Sequence, residues 1–153
     1  MPISFLPAQP EDLHELIPLM KELQADDPWS EPFQEDRVKP VVADLLANPS
    51  FGRVWIIADG DTKIGYIVMA FDYSLEYGGR GAWVDEFFVR REYRGHGIGS
   101  QALDFFVDQA QDLGATVVYL EVNRGNPALE LYRRKGFEDH QRYLMSRRIE
   151  GRR

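Results

Sequence analysis

The apolar positions of this chain change period several times, and each change marks an element. Ile3 and Phe5 alternate between two prolines, the pattern of a short first strand. Pro10-Glu11-Asp12 opens a helix, with proline and acids in its first turn. Leu13, Leu16, Ile17, Met20 and Leu23 make its apolar face, and Pro18 removes a backbone donor and predicts a bend. The stretch ADDPWSEPF, 25–33, combines two prolines with Asp26, Asp27 and Glu31 and reads as a loop. Val38, Val41, Val42, Leu45 and Leu46 mark a second helix. Residues 51–58 and 63–73 are strands around the tight turn Asp59-Gly60-Asp61, a hairpin signature. Ser74–Gly81 reads as a flexible connection into a strand at Trp83–Val89. Ala102, Leu103, Phe106, Val107, Ala110 and Leu113 then fall at helical spacing up to Gly114, which suits a C-cap. Thr116–Val122 predicts a buried strand beside Trp83–Val89. Pro127 opens a short helix that ends at Lys135-Gly136, and Phe137 with Tyr143–Ile149 supplies a last strand. No repeat or linker interrupts the order, so residues 1–153 are expected to form one domain.

The stretch Trp83–Gln101, WVDEFFVRREYRGHGIGSQ, carries the chemistry. It reads as strand, glycine loop, helix. Such a junction aims unpaired N–H groups and the positive end of a helix dipole at one point. Gly95, Gly97 and Gly99 let phosphates approach the backbone. A nucleotide-binding P-loop would place Lys after its last glycine, and here Ser100 and Gln101 follow. A dinucleotide fingerprint would need its third glycine one residue later. Glu121 ends the next strand where a ribose-binding acid would stand, so that reading stays open.

Composition narrows the classes. There is no cysteine, which removes disulfides, thiolate metal sites and cysteine nucleophiles. Three scattered histidines, His14, His96 and His140, argue against a metal centre. No apolar run reaches membrane-spanning length and the N-terminus lacks a leader pattern, so the expected compartment is the cytoplasm, with no membrane partner. Met1–Phe88 holds 16 acids against 6 Lys and Arg, and the remainder 9 against 12. A basic half suits a polyanionic cofactor and an acidic half a cationic substrate, while the overall balance argues against nucleic acid.

The spacing Arg94-x-x-Gly97-x-Gly99 resembles the acyl-CoA motif of the GCN5-related N-acetyltransferases, the GNAT family, and DEFFV…EYRGHGIGS resembles its diamine acetyltransferase version. Residues 126–137, NPALELYRRKGF, resemble the family's second signature, an alanine (Ala128), a tyrosine four residues on (Tyr132), then Gly-Phe. The resemblance implies an α+β fold: a mixed, largely antiparallel central sheet flanked by helices, with splayed central strands. It implies transfer of an acetyl group from acetyl-CoA, as cosubstrate and without metal, to a primary amine, by direct attack. Phe87, Phe88, Val89, Arg94, Gly95, His96, Gly97, Ile98, Gly99 and Ser100 would hold the cofactor. A strand N–H at Phe88 or Val89 would stabilise the oxyanion. Asn126 is the nearest match to the family's pantetheine-contacting asparagine, one residue late. Tyr132 would protonate the leaving thiolate. Asp85 and Glu86 are the candidate bases. Adjacent strand residues face opposite sides, so one is expected at the substrate and the other at a structural partner. Trp29 is the one tryptophan expected to wall the acceptor pocket, and a homodimer fits the family's habit. Two other functions stay open: a non-catalytic acyl-CoA-binding module and an acetyltransferase of protein amines.

Overall fold

The computed structural model describes residues 2–29 and 31–151. Its sheet has five strands in sequence order: β1 (Ile3–Pro7), β2 (Gly52–Asp59), β3 (Thr62–Ser74), β4 (Gly79–Val89) and β5 (Val117–Tyr119). The first four pair antiparallel, and β5 joins β4 in parallel. Four helices complete the fold: α1 (Leu13–Asp26), α2 (Glu35–Ala47), α3 (Ile98–Asp112) and α4 (Leu129–Arg134). This is the mixed α+β architecture that the pattern implied.

Alternation along the strands sends two apolar sets to two faces. Val54, Ile56, Tyr66, Val68 and Phe88 meet Leu16, Ile17, Leu19 and Met20 of α1 and Val38 and Val42 of α2. Trp55, Ile67, Met69, Ala82 and Val84 meet Phe106 and Ala110 of α3. Phe106 is fully buried and edge-on to Trp55, so truncating it to alanine would cost about 3–5 kcal/mol.

Three expectations need correction. The connection at Ser74–Gly81 is a tight hairpin: Ser74 pairs with Gly79, and β4 begins there. Gly81 is required by packing, since a Cβ there would fall 2.1 Å from Asp72 Oδ1, and that carboxylate accepts the Trp83 indole N–H at 3.1 Å. The strand expected at Thr116–Val122 keeps its ladder only over Val117–Tyr119. The last strand, at Phe137 and Tyr143–Ile149, does not form among the described residues. Tyr143, Leu144, Met145 and Ile149 are exposed, and ion pairs from Arg142 to Glu76 and Arg148 to Glu31 run from the segment to the body. Alternation gives a segment the capacity to be a strand, but a strand also needs an adjacent ladder, which the pattern of a single segment cannot supply.

Candidate active site

The sheet opens where β5 ends. β4 and β5 pair from Gly81/Val117 to Trp83/Tyr119 and no further, while β4 stays zipped to β3 as far as Val89. Trp83 stacks on Tyr119 with ring centroids 4.6 Å apart at this last rung. Beyond it the two chains part, and the gap holds a cavity of about 350 Å³ lined by Trp29, Trp83, Val84, Asp85, Glu86 and Glu121.

Asp85 and Glu86 both line this cavity, against the expectation that they would face opposite sides. The reason is a bulge. Across the ladder, Met69 pairs with Val84 and Val68 with Glu86, so Asp85 is an extra residue with no partner. An inserted residue suspends the two-residue period locally and bends the strand.

The cavity's electrostatics follow first from burial and only then from the nearness of its carboxyls. Burial pushes Glu86 up to about 7; hydrogen bonding from Tyr66 pulls against that, the neighbouring Asp85 charge adds to it, and the Trp29 side chain pulls it down again. The Tyr66 hydroxyl donates to Glu86 Oε1 at 2.6 Å. Burial also raises Asp85, and Glu121 is raised by burial and then by the Asp85 charge. Both keep a face open to solvent, so the protein around them disfavours their charge without enclosing it. Trp29 spans the mouth from the loop after α1. Its backbone N–H donates to Gln24 Oε1 at 2.8 Å, and its ring leans on Phe33.

The glycine loop follows the C-terminal end of the same strand. A 3₁₀ turn at Arg91–Tyr93 follows β4, and Gly97 caps α3 at φ 80° and ψ 6° with no side-chain cap. The first intrahelical bond runs from the Gln101 N–H to the Gly97 carbonyl, so the amides of Ile98, Gly99 and Ser100 are the helix's orphan donors. Apart from its chain neighbours, no atom of the described residues lies within 4 Å of a Cβ built on Gly95 or Gly97. Phe87, Phe88 and Val89 end β4 beside this loop. The Arg90 N–H bonds the Ile64 carbonyl, so antiparallel alternation turns the Phe88 amide toward β3 and the Phe87 and Val89 amides toward the gap.

Two loop side chains have other work. The Arg94 guanidinium donates to the Val89 carbonyl and to Asp26 Oδ2, each at 2.7 Å, and Arg91 reaches Asp26 Oδ1 at 3.2 Å. These contacts tie the end of α1 to the loop. His96 points its Nδ1 at the Tyr93 carbonyl, 3.3 Å away, and lines a separate cavity with Glu92 and Asp59.

α4 closes the site. A Cβ on Gly99 would meet Leu131 at 3.2 Å and Phe87 at 3.9 Å, so α4 sits against the start of α3 and the end of β4. Tyr132 is half-buried on α4, edge-on to Phe137; burial and then the Asp27 charge raise its phenol above the ordinary value. Asn123 donates to Asp27 at 2.8 Å, joining the turn after β5 to the loop after α1. The Asn126 side-chain Oδ1 accepts from the Ala128 N–H at 2.8 Å, an Asx turn that leads into α4.

The structure therefore brings Asp85, Glu86 and Trp29 together in one cavity, and Val89, Gly95 and Gly97–Ser100 together at the loop. Sequence reading missed Tyr66, Trp83 and Glu121. Trp83 was recoverable, because it stands two residues before Asp85 on one strand. Glu121 was weighed only as a ribose ligand and instead faces the carboxylate cavity. Tyr66 carried no signal, being one more aromatic in an apolar strand.

A sheet with helices on both faces, its strands parted beside a helix capped by the glycine loop alone, defines a class. The acetyltransferase (GNAT) family model matches residues 16–137. The chain belongs to that family, and is an acyltransferase of the kind that uses acetyl-CoA. Among its relatives is the thialysine N-epsilon-acetyltransferase of Bos taurus, 31% identical over 134 residues, 86% of this chain and 72% of the relative. An integron cassette protein from the Cole Harbour Salt Marsh metagenome superposes with a TM-score of 0.83 at 33% identity, over 97% of this chain and 91% of the other. A Clostridium acetobutylicum protein solved with acetyl-CoA as a predicted acetyltransferase shares the fold, with a TM-score of 0.79 at 22% identity over 95% and 96% of the two chains.

Proposed function

We propose that this protein transfers the acetyl group of acetyl-CoA to a small cationic primary amine by direct attack. The observation that carries the reading is the gap between β4 and β5, where Asp85, Glu86 and Glu121 share a cavity with Trp29 and Trp83. Carboxylates concentrate a cation, and indole faces attract it. The relative's name, which places its reaction on the ε-nitrogen of thialysine, supports an amine acceptor.

Each residue then has a task. The amides of Ile98, Gly99 and Ser100 and the open face of Gly97 receive the pyrophosphate at the positive end of α3. Arg94, Arg91 and Asp26 fix that loop. Glu86 is the general base: poised near 7, it is both deprotonated enough and basic enough to take the ammonium proton at neutral pH. Asp85 and Glu121 hold the cation as it binds. The amine nitrogen bonds to the acetyl carbon, and the carbonyl electrons are steadied by the Val89 N–H, which alternation selects over Phe88. As the carbon–sulfur bond breaks, Tyr132 passes its proton to the thiolate, and the phenolate is restored by the second proton that the nitrogen sheds as it becomes the amide. Its raised pKa keeps the hydroxyl protonated until that moment. The cytoplasm is the compartment we expect for this reaction, and a homodimer the assembly.

The test is acetyl-CoA-dependent release of free thiol over matched cationic, neutral and anionic amines at two ionic strengths. The cationic amine should have the highest kcat/KM, its lead should shrink as salt rises, and Glu121→Gln should raise its KM several-fold with kcat little changed. A neutral or anionic acceptor leading at low salt overturns the cationic assignment.

A further inference from the structure

Tyr66 is fully buried, in β3, among Leu16, Met20, Val54 and Phe88, a setting in which phenylalanine would pack as well. Its register explains the hydroxyl. Tyr66 pairs with Phe88 and Val68 with Glu86, so Tyr66 and Glu86 are diagonal neighbours on one face of the sheet. The Phe88 ring leans on the Tyr66 ring, with centroids 6.4 Å apart, and the helix side chains close the rest, so the phenol has nowhere to swing.

We propose that Tyr66 is the positioning residue for the acceptor-site carboxylate: its immobile hydroxyl, donating to Glu86 Oε1 at 2.6 Å, fixes the orientation of that carboxylate and favours its charged form. This rests on reading Glu86 as the general base. Two acids and two donors from four parts of the fold face Glu86 or share its cavity, beside Trp83 and Val84. Glu121 beyond β5 shares the cavity, and Asp85 beside Glu86 on β4 disfavours a further negative charge. Trp29 from the loop after α1 and Tyr66 from β3 favour it. Tyr66 alone among these is enclosed in the core. Burial, with the Glu86 charge, pushes its own ionisation well above the ordinary tyrosine value, so it stays a donor at every working pH. Without that donor, Glu86 would lose its fixed neighbour and keep the two acids.

The experiment is the pH profile of kcat/KM from about pH 5.5 to 9.5 for the full chain, Tyr66→Phe, Glu86→Gln and the double variant. Activity needs deprotonated Glu86, so it rises through an acid limb whose midpoint should lie near 7 in the parent. Tyr66→Phe should move that midpoint up by about one unit. At pH 7 the deprotonated fraction then falls from about one half to about one tenth, a loss of roughly fivefold, recovered above pH 9. Glu86→Gln should remove the limb, and adding Tyr66→Phe to it should change kcat/KM by less than about twofold, because the two act through one bond. If Tyr66→Phe lowers activity equally at every pH with the midpoint unmoved, or if its loss adds fully to that of Glu86→Gln, Tyr66 is only a core residue and the proposal is overturned. If Glu86→Gln keeps the limb, it is the assignment of the base that fails. Should Tyr66→Phe not fold, 3-fluorotyrosine placed at position 66 keeps the ring and makes a stronger donor; the midpoint should then move down, and an unmoved midpoint overturns the proposal.

Discussion

Gly97 and Gly114 bracket α3 and make a matched pair for testing the cofactor loop. Gly97 has φ 80° and Gly114 φ 83°, and at both a Cβ would find nothing within 4 Å. An alanine at either position therefore meets no clash and suffers the same left-handed strain, about 1–2 kcal/mol. Reduced freedom of the unfolded chain offsets about 0.4–1 kcal/mol of this. The net loss, on the order of 1 kcal/mol, lowers Tm by about 2–4 °C in a chain of this size. Stability should thus fall equally in Gly97→Ala and Gly114→Ala. Binding should not. Gly97 is the N-cap next to the orphan amides of Ile98, Gly99 and Ser100, and a methyl group there should hold a phosphate off them. Losing one charge-assisted hydrogen bond costs about 1.5–3 kcal/mol, or roughly 10- to 150-fold in Kd. Gly114 stands at the far end of the helix and should bind CoA as the parent does. Thermal melts give the first comparison and calorimetric titration with CoA the second. Unchanged CoA affinity in Gly97→Ala, or equal weakening in Gly114→Ala, would refute the loop as the pyrophosphate site.

Two further outcomes follow from the same geometry. Tyr132→Phe keeps the ring against Phe137 and loses the proton, so kcat should fall by about 10²-fold with CoA affinity unchanged; equal activity would leave Tyr132 a packing residue. Asp26 is held below its usual 3.8 chiefly by the hydrogen bond from Arg94, with the Arg91 charge helping. A depressed carboxyl stabilises the fold above its unfolded value and loses that contribution as pH falls through the lower folded one. Asp26→Asn should therefore cost about 2–4 °C of Tm at pH 7 and progressively less below pH 4; a gap that stays constant to pH 3 would rule the ion pairs out as its cause.

What was legible in the chain was whatever depends on local period and local chemistry. The face of α1, the hairpin of β2 and β3, the glycine loop that opens α3 and the end of that helix at Gly114 were all readable, because each is decided by residues within one or two turns. Features set by a neighbour in space were not. Tyr143–Ile149 has strand chemistry and no adjoining ladder. Gly81 looked like flexibility and is a contact with Asp72, nine residues earlier on the facing strand. Arg94 takes its place in the motif from local spacing, whereas the ion pair of its guanidinium with Asp26, distant in sequence, left no mark there.

The acid pair shows how one irregularity can supply several parts of a site. In a regular strand, Asp85 and Glu86 would stand on opposite faces, one of them in the layer packed against α3, where an unpaired carboxylate would be costly. The extra residue at Asp85 avoids that by turning both to one cavity. It also bends β4, and it lies two residues past the last rung shared with β5, where the two strands part. β4 nevertheless stays paired to β3 through Val89, so its outer amides, including that of Val89, are left facing the gap with their direction fixed by the intact ladder. A bulge elsewhere on the strand would separate these consequences. Placed here, between Val84 and Glu86, it opens the sheet, gathers the acids and exposes the donors within one turn of chain, with Tyr66 anchored across the same ladder to hold Glu86 in place.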